Sequence, residues 1–507
     1  MGKPSRRINK VLIANRGEIA VRVARTLREM DIVPVAVYSD VDRIAPHVRA
    51  CYEAYPIGPA PAPQSYLRGD AVIEAAKKAG ADAIHPGYGF LSENAAFVEA
   101  VEAAGLIFIG PSANAMRVMG SKTAARNKMK AAGVPCVPGS EGAIDNVEEV
   151  KKVADQMGYP VVLKASAGGG GKGMRLVHDV SEMDSAFRSA RSEAKNAFGD
   201  DTVYIEKAII NPHHVEIQVF GGNDGKAVWL GERECSMQRR HQKVIEETPS
   251  LAINEEVRCK MGEVACRAAE AVNYVGAGTI EFLTDSDMNF YFLEMNTRLQ
   301  VEHPVTELCC GVDLVEGQVR VAQGEPLPWK QEDIVRTGHA IEVRLYAEDP
   351  SKNFMPAPGH IDELILPHGP GIRVDCGVAS GYDVPQHYDP MIAKMCAWAE
   401  DRDGARRRLI RALSETAVKG ITTNRLFLRR LLELNEFVAG KYHTGSIAEM
   451  MAAGDAAPSD EILDAGVIAA AVNRYRRDSR STRREPQSQS SSGTLWRSHG
   501  WRRGGRA

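Results

Sequence analysis

At 507 residues the chain has length for about two to four domains. Its hydrophobic fraction of 44% and charged fraction of 25% are those of a soluble globular protein, and a net charge of -3 argues against a protein built mainly to hold nucleic acid. Nine cysteines, an odd number with no CxxC pair, exclude a secreted disulfide framework and a cysteine zinc site, and fit reduced thiols in a cytoplasmic protein.

The basic start MGKPSRRINK leads into VLIANRGEIA, where Asn15, Arg16 and Glu18 interrupt the apolar run, so no signal-peptide core forms. Arg6 stands where myristoylation would want Ser or Thr. No run of about 18 apolar residues is present to span a membrane. Over the first hundred residues strand and helix patterns alternate: strand-like at 10–14, helical at 17–30, β-branched at 32–38, helical at 70–79 and strand-like at 81–85. Such alternation predicts a parallel sheet with crossover helices, a doubly wound domain of the nucleotide-binding kind that lacks GxGxxG.

A second segment, about 111–331, holds a glycine-rich stretch and most of the informative polar residues. A third, about 336–451, has strand-like runs at 340–346 and 393–398 and helical patterns at 403–413 and 424–434, and reads as α+β. Residues 452–460 form a small-residue and proline linker. Residues 460–477 fit one helix with Ile462, Val467 and Val472 as its apolar stripe. From 478 the chain is Ser, Arg and Gly with two Trp, a composition that predicts a disordered tail.

Three motifs carry chemistry. In Lys164-Ala-Ser-Ala-Gly-Gly-Gly-Gly-Lys-Gly, the glycines Gly168, Gly169, Gly170, Gly171 and Gly173 offer backbone N–H groups that can approach an anion, while Lys164 and Lys172 add charge. Gly173 after Lys172 rules out a Walker A loop. The strand reading upstream predicts a glycine loop between strands, able to close over phosphates. In the second motif, Gly278-Thr-Ile-Glu-Phe-Leu precedes Phe290-Tyr-Phe-Leu-Glu-Met-Asn-Thr-Arg-Leu-Gln-Val-Glu-His. Residues two apart share a strand face, so Glu294 and Asn296 point one way, joined by Arg298, Gln300 and Glu302 if the extended chain continues. Glu281 can add a second carboxylate, and two carboxylates with an amide oxygen suit Mg²⁺ bridging nucleotide phosphates. The third, Glu232-Arg-Glu-Cys-Ser-Met-Gln-Arg-Arg-His-Gln-Lys, is too polar for a core, and its cations can hold an anion, unless it is only a solvated charged face. His85-Pro-Gly-Tyr-Gly-Phe-Leu-Ser-Glu reads as a rigid strand-to-helix loop, and Arg344 lies on a strand-like run.

On these residues the chain resembles the biotin carboxylase family within the ATP-grasp superfamily. The matching stretches are IANRGEIA, HPGYGFLSEN, FIGPSA, GVPCVPGS, KASAGGGGKGM, NPHHVEIQV, ERECSMQRRHQK, EMNTRLQVEHPVTE and VRLYAEDP, collinear from about Val11 to Met451. The resemblance implies a doubly wound N-terminal domain at 1–113 and an ATP-grasp domain at 114–335 with a mobile lid at about 136–209. An α+β C-terminal domain at 336–451 and the tail at 452–507 complete it. It further implies that Lys122, Lys164 and His214 contact ATP, with Gln238 and His241 nearby, and that Gly168 to Gly173 close over the nucleotide. Glu206 and Lys207 would sit at the adenine hinge, and Glu281, Glu294 and Asn296 would hold Mg²⁺ or Mn²⁺. Bicarbonate would lie against Lys243, Arg298, Gln300 and Val301, with Glu302 as general base and Arg344 stabilising the biotin enolate.

The implied activity is ATP- and bicarbonate-dependent carboxylation of biotin through carboxyphosphate. A biotin carrier carries Met-Lys-Met; Lys128-Met-Lys130 lacks the second Met, so the expected carrier is a separate protein. The resemblance also implies carboxyltransferase partners, a homodimer, and acetyl-CoA, propionyl-CoA or pyruvate as final acceptor. Another ATP-grasp ligase would share the lid and metal residues without needing QRRHQK and residues 298–302 together. A non-enzymatic scaffold would not need Glu302 and Arg344 intact.

Overall fold

The computed structural model describes residues 6–140, 142, 144–165, 174–198, 201–454, 467–472 and 474–476. The chain divides into a large unit, Met1–Glu449, and a small one, Met450–Ala507. In the small unit residues 467–472 are helical, and Val467 and Val472 of the expected stripe are exposed. Ile462 and the tail from 478 lie outside the described residues.

The large unit opens with the expected parallel sheet. Strands β1 (Lys10–Ile13), β2 (Val33–Ser39), β3 (Glu53–Gly58), β4 (Ala83–His85) and β5 (Ile107–Phe108) run in the order β3-β2-β1-β4-β5. Val11, Leu12 and Ile13 are fully buried, as a strand covered on both faces requires. Helix α1 (Gly17–Glu29) lays Ile19, Ala20, Val23, Ala24 and Leu27 into the core, and each large apolar chain there contributes about 1.5–3 kcal/mol.

A three-stranded sheet, β7-β6-β8, follows from β6 (Val161–Ala165), β7 (Met174–Val177) and β8 (Val203–Lys207). Helices Val147–Met157 and Met183–Phe198 belong to it, and its core of Val150, Ala154, Val161, Leu163, Val177, Met183 and Ile205 draws on residues 144–205 alone. The segment therefore packs on itself. Lys164 and Met174 are cross-strand partners, so the glycine stretch links two antiparallel strands as expected, while residues 166–173 themselves lie outside the described residues.

The main sheet is eight-stranded. It is built from β9 (His213–Gly221), β10 (Ala227–Arg239), β11 (Gln242–Thr248), β12 (Gly276–Thr284), β13 (Phe290–Asn296), β14 (His339–Tyr346), and the strands Ile372–Cys376 and Met391–Ala399. The order is β13-β12-β9-β10-β11-β14, then Met391–Ala399, then Ile372–Cys376. The ladder continues across residue 336 into the α+β segment expected at 336–451, with Ile245 opposite Val343. Periodicity identifies a strand, but its neighbour is chosen by tertiary packing.

Helices and loops of the C-terminal segment fasten to this sheet through Glu247 on β11. Its buried carboxylate accepts from Arg402 at 2.7 and 2.9 Å, from Tyr442 at 2.5 Å, and lies 2.6 Å from His339 Nε2. Burial opposes the charge, but His339 and Arg402 prevail and hold the carboxyl at about 2, against an ordinary 4.5. A depressed carboxyl adds stability that is complete above the unfolded-state value and is lost as pH falls through the folded one. Wild-type protein is therefore expected to lose stability between about pH 4.5 and 2 more steeply than Glu247→Gln, as acid melts followed by near-UV dichroism will show. Parallel curves would refute this.

Candidate active site

Alternation along β9 sets the floor of the site. Val215, Ile217 and Val219 enter the core, which leaves His214, Glu216 and Gln218 on the other face. The register then lines up charges across four strands: Glu294 opposite Glu281, Glu281 opposite Glu216, and Glu216 opposite Arg233. Like charges directly opposite one another are destabilising, so this row of carboxylates needs cations.

Two protein cations meet it, one fully and one partly buried. Arg233, fully buried, donates to Glu216 at 2.5 Å, Gln218 at 2.6 Å, Thr306 at 3.0 Å and Thr279 at 2.9 Å. The Lys243 ammonium donates to Glu216 at 2.5 Å, Glu281 at 2.8 Å and Glu302 at 2.7 Å. Burial disfavours its charge, yet Glu216, Glu281 and Glu302 keep Lys243 protonated well above the ordinary lysine range. Glu302, also fully buried, gives its other oxygen to Arg344 at 2.9 Å, and Arg344 donates through Nε to Glu246 at 2.6 Å. Burial and Glu216 push the Glu302 carboxyl up; Lys243, Arg344 and Arg233 outweigh them and hold it below its ordinary value. Burial pushes Glu246 up to about 7, with Arg344 opposing and Glu302 adding repulsion. His214 stands 3.3 Å from Glu281, and although burial works against it, that carboxylate raises the imidazole to about 9.

The second motif departs from the expected geometry after Asn296. There β13 ends, and Glu302 becomes the residue preceding helix His303–Cys310. Side-chain bonds reunite the set: Asn296 donates to Glu281 at 2.7 Å, and Arg298 donates to Asn296 and Gln300, each at 3.2 Å. Glu93, at the end of the HPGYGFLSE loop, accepts from Arg298 at 2.8 Å. The Gln300 amide nitrogen is buried without a hydrogen-bond partner among the described residues. That loop is rigid: Gly87 has φ +64, a Cβ there would lie 2.9 Å from Asn15 Nδ2, and this amide donates to the carbonyls of Pro86 and Tyr88, each at 2.7 Å.

The expectation that ERECSMQRRHQK is too polar for a core is overturned. Residues 232–238 are buried on β10, because every charge is paired, Glu232 for instance with Arg258 at 2.7 Å and Arg336 at 3.2 Å. Gln238 donates to the Cys235 carbonyl at 2.8 Å, and His241 is exposed on the turn to β11, with φ +65. Lys164 and Glu206 form a separate ion pair, to which Arg126 adds a bond of 2.7 Å. Lys207 turns to the carbonyls of Gly158 and Tyr159, at 2.9 and 3.1 Å. Lys122 begins the helix Lys122–Ala131, and its side chain lies outside the described residues, as do Gly168 to Gly173. Glu294 is exposed, and Val301 supplies a carbonyl to Lys394. Sequence reasoning does not single out Glu216 or Glu246, and it names Arg233 and Glu93 only as members of their motifs. Period-two alternation in HVEIQV could have found Glu216; the others depend on register and loop packing.

A doubly wound domain, a self-packed β-sheet segment carrying the glycine stretch, and a long antiparallel sheet with a buried carboxylate–cation row define the ATP-grasp class of ligase fold. Family models agree along the chain: biotin carboxylase N-terminal domain at 7–116, carbamoyl-phosphate synthase L chain ATP-binding domain at 121–330, and biotin carboxylase C-terminal domain at 342–449. The chain is 52% identical over 438 residues to biotin carboxylase 1 of Bacillus subtilis, covering 86% of this chain and 97% of the relative. It is 54% identical over 447 residues to the mitochondrial methylcrotonoyl-CoA carboxylase subunit alpha of Rattus norvegicus, covering 88% of this chain but spanning only 62% of that relative's length. Among solved structures, the biotin carboxylase domain dimer of the Hydrogenobacter thermophilus 2-oxoglutarate carboxylase, in complex with MgADP, ADP and bicarbonate, superposes with a TM-score of 0.81 at 44% identity, covering 89% of this chain and 99% of that one. The chain belongs to the biotin carboxylase family. Among the described residues no helix is long and apolar enough to cross a membrane, and all nine cysteines are free.

Proposed function

We propose that the chain carboxylates biotin, presented on a carrier protein, with ATP and bicarbonate. The observation that carries this is Glu302, a buried carboxylate fixed between Lys243 and Arg344. Lys243, Arg298, Gln300 and the Val301 amide bind bicarbonate, and Glu302, ionised at neutral pH, takes its proton. The bicarbonate oxygen then attacks the γ-phosphorus of ATP, and ADP leaves. Lys164, Lys122, His214 and the glycine stretch hold the nucleotide, with Glu206 and Lys207 at the base and His241 and Gln238 at the edge. The carboxyphosphate breaks to CO₂ and phosphate, and phosphate accepts the N1′ proton of biotin. Arg344, protonated at every working pH, offsets the charge on the ureido oxygen while the nitrogen attacks CO₂.

The donor set Glu281, Glu294 and Asn296 is all oxygen and hard, and Asn296 already bonds Glu281, so these residues fit Mg²⁺ or Mn²⁺. Such an ion, when bound, supplies charge neutralisation on the nucleotide phosphates. A separate biotin carrier and a carboxyltransferase complete the reaction, and the enzyme works as a homodimer in the cytoplasm. The test is ATP hydrolysis by the purified chain with bicarbonate and Mg²⁺, with and without free biotin. Biotin is expected to raise the rate and yield carboxybiotin; ATP turnover indifferent to biotin would mean a different acceptor.

A further inference from the structure

The turn after β13 carries Arg298, Gln300, Val301 and Glu302, yet it lies between the end of a strand at Asn296 and the start of a helix at His303. Its support comes from beneath. Lys394, on the strand Met391–Ala399, is fully buried and donates to the Val301 carbonyl at 2.6 Å. Glu18 on α1 lies 3.4 Å from the ammonium and Asp375 lies 4.0 Å away. The Tyr88 ring centroid is 5.8 Å off, and the Tyr88 hydroxyl donates to Glu18. Beside it, His303 Nδ1 sits 2.7 Å from the Gln300 carbonyl. Burial, and then Lys394, keep that imidazole neutral, so the nitrogen facing a carbonyl is the protonated one.

Burying a lysine carries a large desolvation cost, and a methionine would fill the same space. Beyond its ion pairs with Glu18 and Asp375, the ammonium adds a bond to one backbone carbonyl of the turn. The peptide bonds on either side of Val301 are trans. In a trans peptide the carbonyl and the N–H point in opposite directions. With the Gln300 carbonyl held by His303, the Val301 N–H faces away from it; with the Val301 carbonyl held by Lys394, the chain enters Glu302 at a fixed angle. Asp375 and Lys394 are cross-strand partners in the main sheet, and Glu18 reaches them from the remote α1.

We propose that Lys394 is a positioning residue for the bicarbonate subsite: through the Val301 carbonyl it fixes the turn that sets the Val301 amide and the Glu302 carboxylate against the anion. This rests on the bicarbonate reading above. The test is steady-state ATP hydrolysis in the presence of biotin by the full chain and by Lys394→Met, varying bicarbonate and ATP separately. The bicarbonate KM is expected to rise at least about tenfold while the ATP KM stays within about twofold, a split that general loss of structure does not produce. Removing Lys394 alone strands the Glu18 charge, so Lys394→Met/Glu18→Gln, which deletes both charges, is measured alongside and is expected to show the same split. An unchanged bicarbonate KM in either folded variant, or bicarbonate and ATP KM values rising together, overturns the proposal. Wild-type hydrolysis that ignores bicarbonate overturns the bicarbonate reading itself, and this proposal with it.

Discussion

Glu302→Gln is expected to lower biotin-dependent turnover by about 10²–10⁴-fold, the range for loss of a positioned general base, while the ATP KM changes by no more than about threefold. The side chain is fully buried between two cations, taking Lys243 on one oxygen and Arg344 on the other. An amide of the same shape can accept from one of them but turns its NH₂ toward the second. It also has no basicity for the bicarbonate proton. Lys164 and Glu206, proposed above to hold the nucleotide, lie on the β7-β6-β8 sheet and pair with each other instead. Steady-state kinetics at saturating bicarbonate, with a thermal melt as control, separate the possibilities. A fall in ATP affinity that parallels the fall in turnover would assign Glu302 to nucleotide binding and remove it from the base role.

Arg233→Met is expected to cost about 3–5 kcal/mol of stability, the range for removing one partner of a buried ion pair. The guanidinium is fully enclosed, and its bonds reach Glu216, Gln218, Thr279 and Thr306. Methionine fills the volume but takes this donor from all four acceptors. Glu216 keeps Lys243 and so is not wholly abandoned. The double variant Arg233→Met/Glu216→Gln should therefore recover part of the loss, a coupling that a double-mutant cycle on urea midpoints measures. Equal midpoints for wild type and Arg233→Met would show that the charge row is not held by Arg233.

Several of these residues were legible without coordinates, and the reason differs from case to case. Asn296, Arg298, Gln300 and Glu302 sit in a motif whose spacing implies a shared face if the strand continues, Glu281 lies on a neighbouring run able to add a carboxylate, and Lys243 and Arg344 follow from the family resemblance. The assumed means was wrong for residues 298–302: the strand stops at Asn296, and hydrogen bonds among Asn296, Arg298 and Gln300 restore the grouping. For ERECSMQRRHQK, polarity suggested a surface, whereas pairing made burial affordable for Glu232, Arg233 and Glu234.

By itself the sequence determined the parallel N-terminal sheet, the approximate place of α1, the presence of a glycine stretch between two strands, and the residue types of the site. These are local properties: period-two and helical periodicity, backbone freedom at glycine, and the chemistry of carboxylate and guanidinium groups are all carried by neighbours in the chain. Only the tertiary structure decided that β11 joins β14, that Glu281, Glu216 and Arg233 fall into one row, and that Lys394 reaches Val301. Those facts depend on which strands pair and in what register. That choice is made by the burial of whole faces against one another, over separations at which a local pattern carries no information.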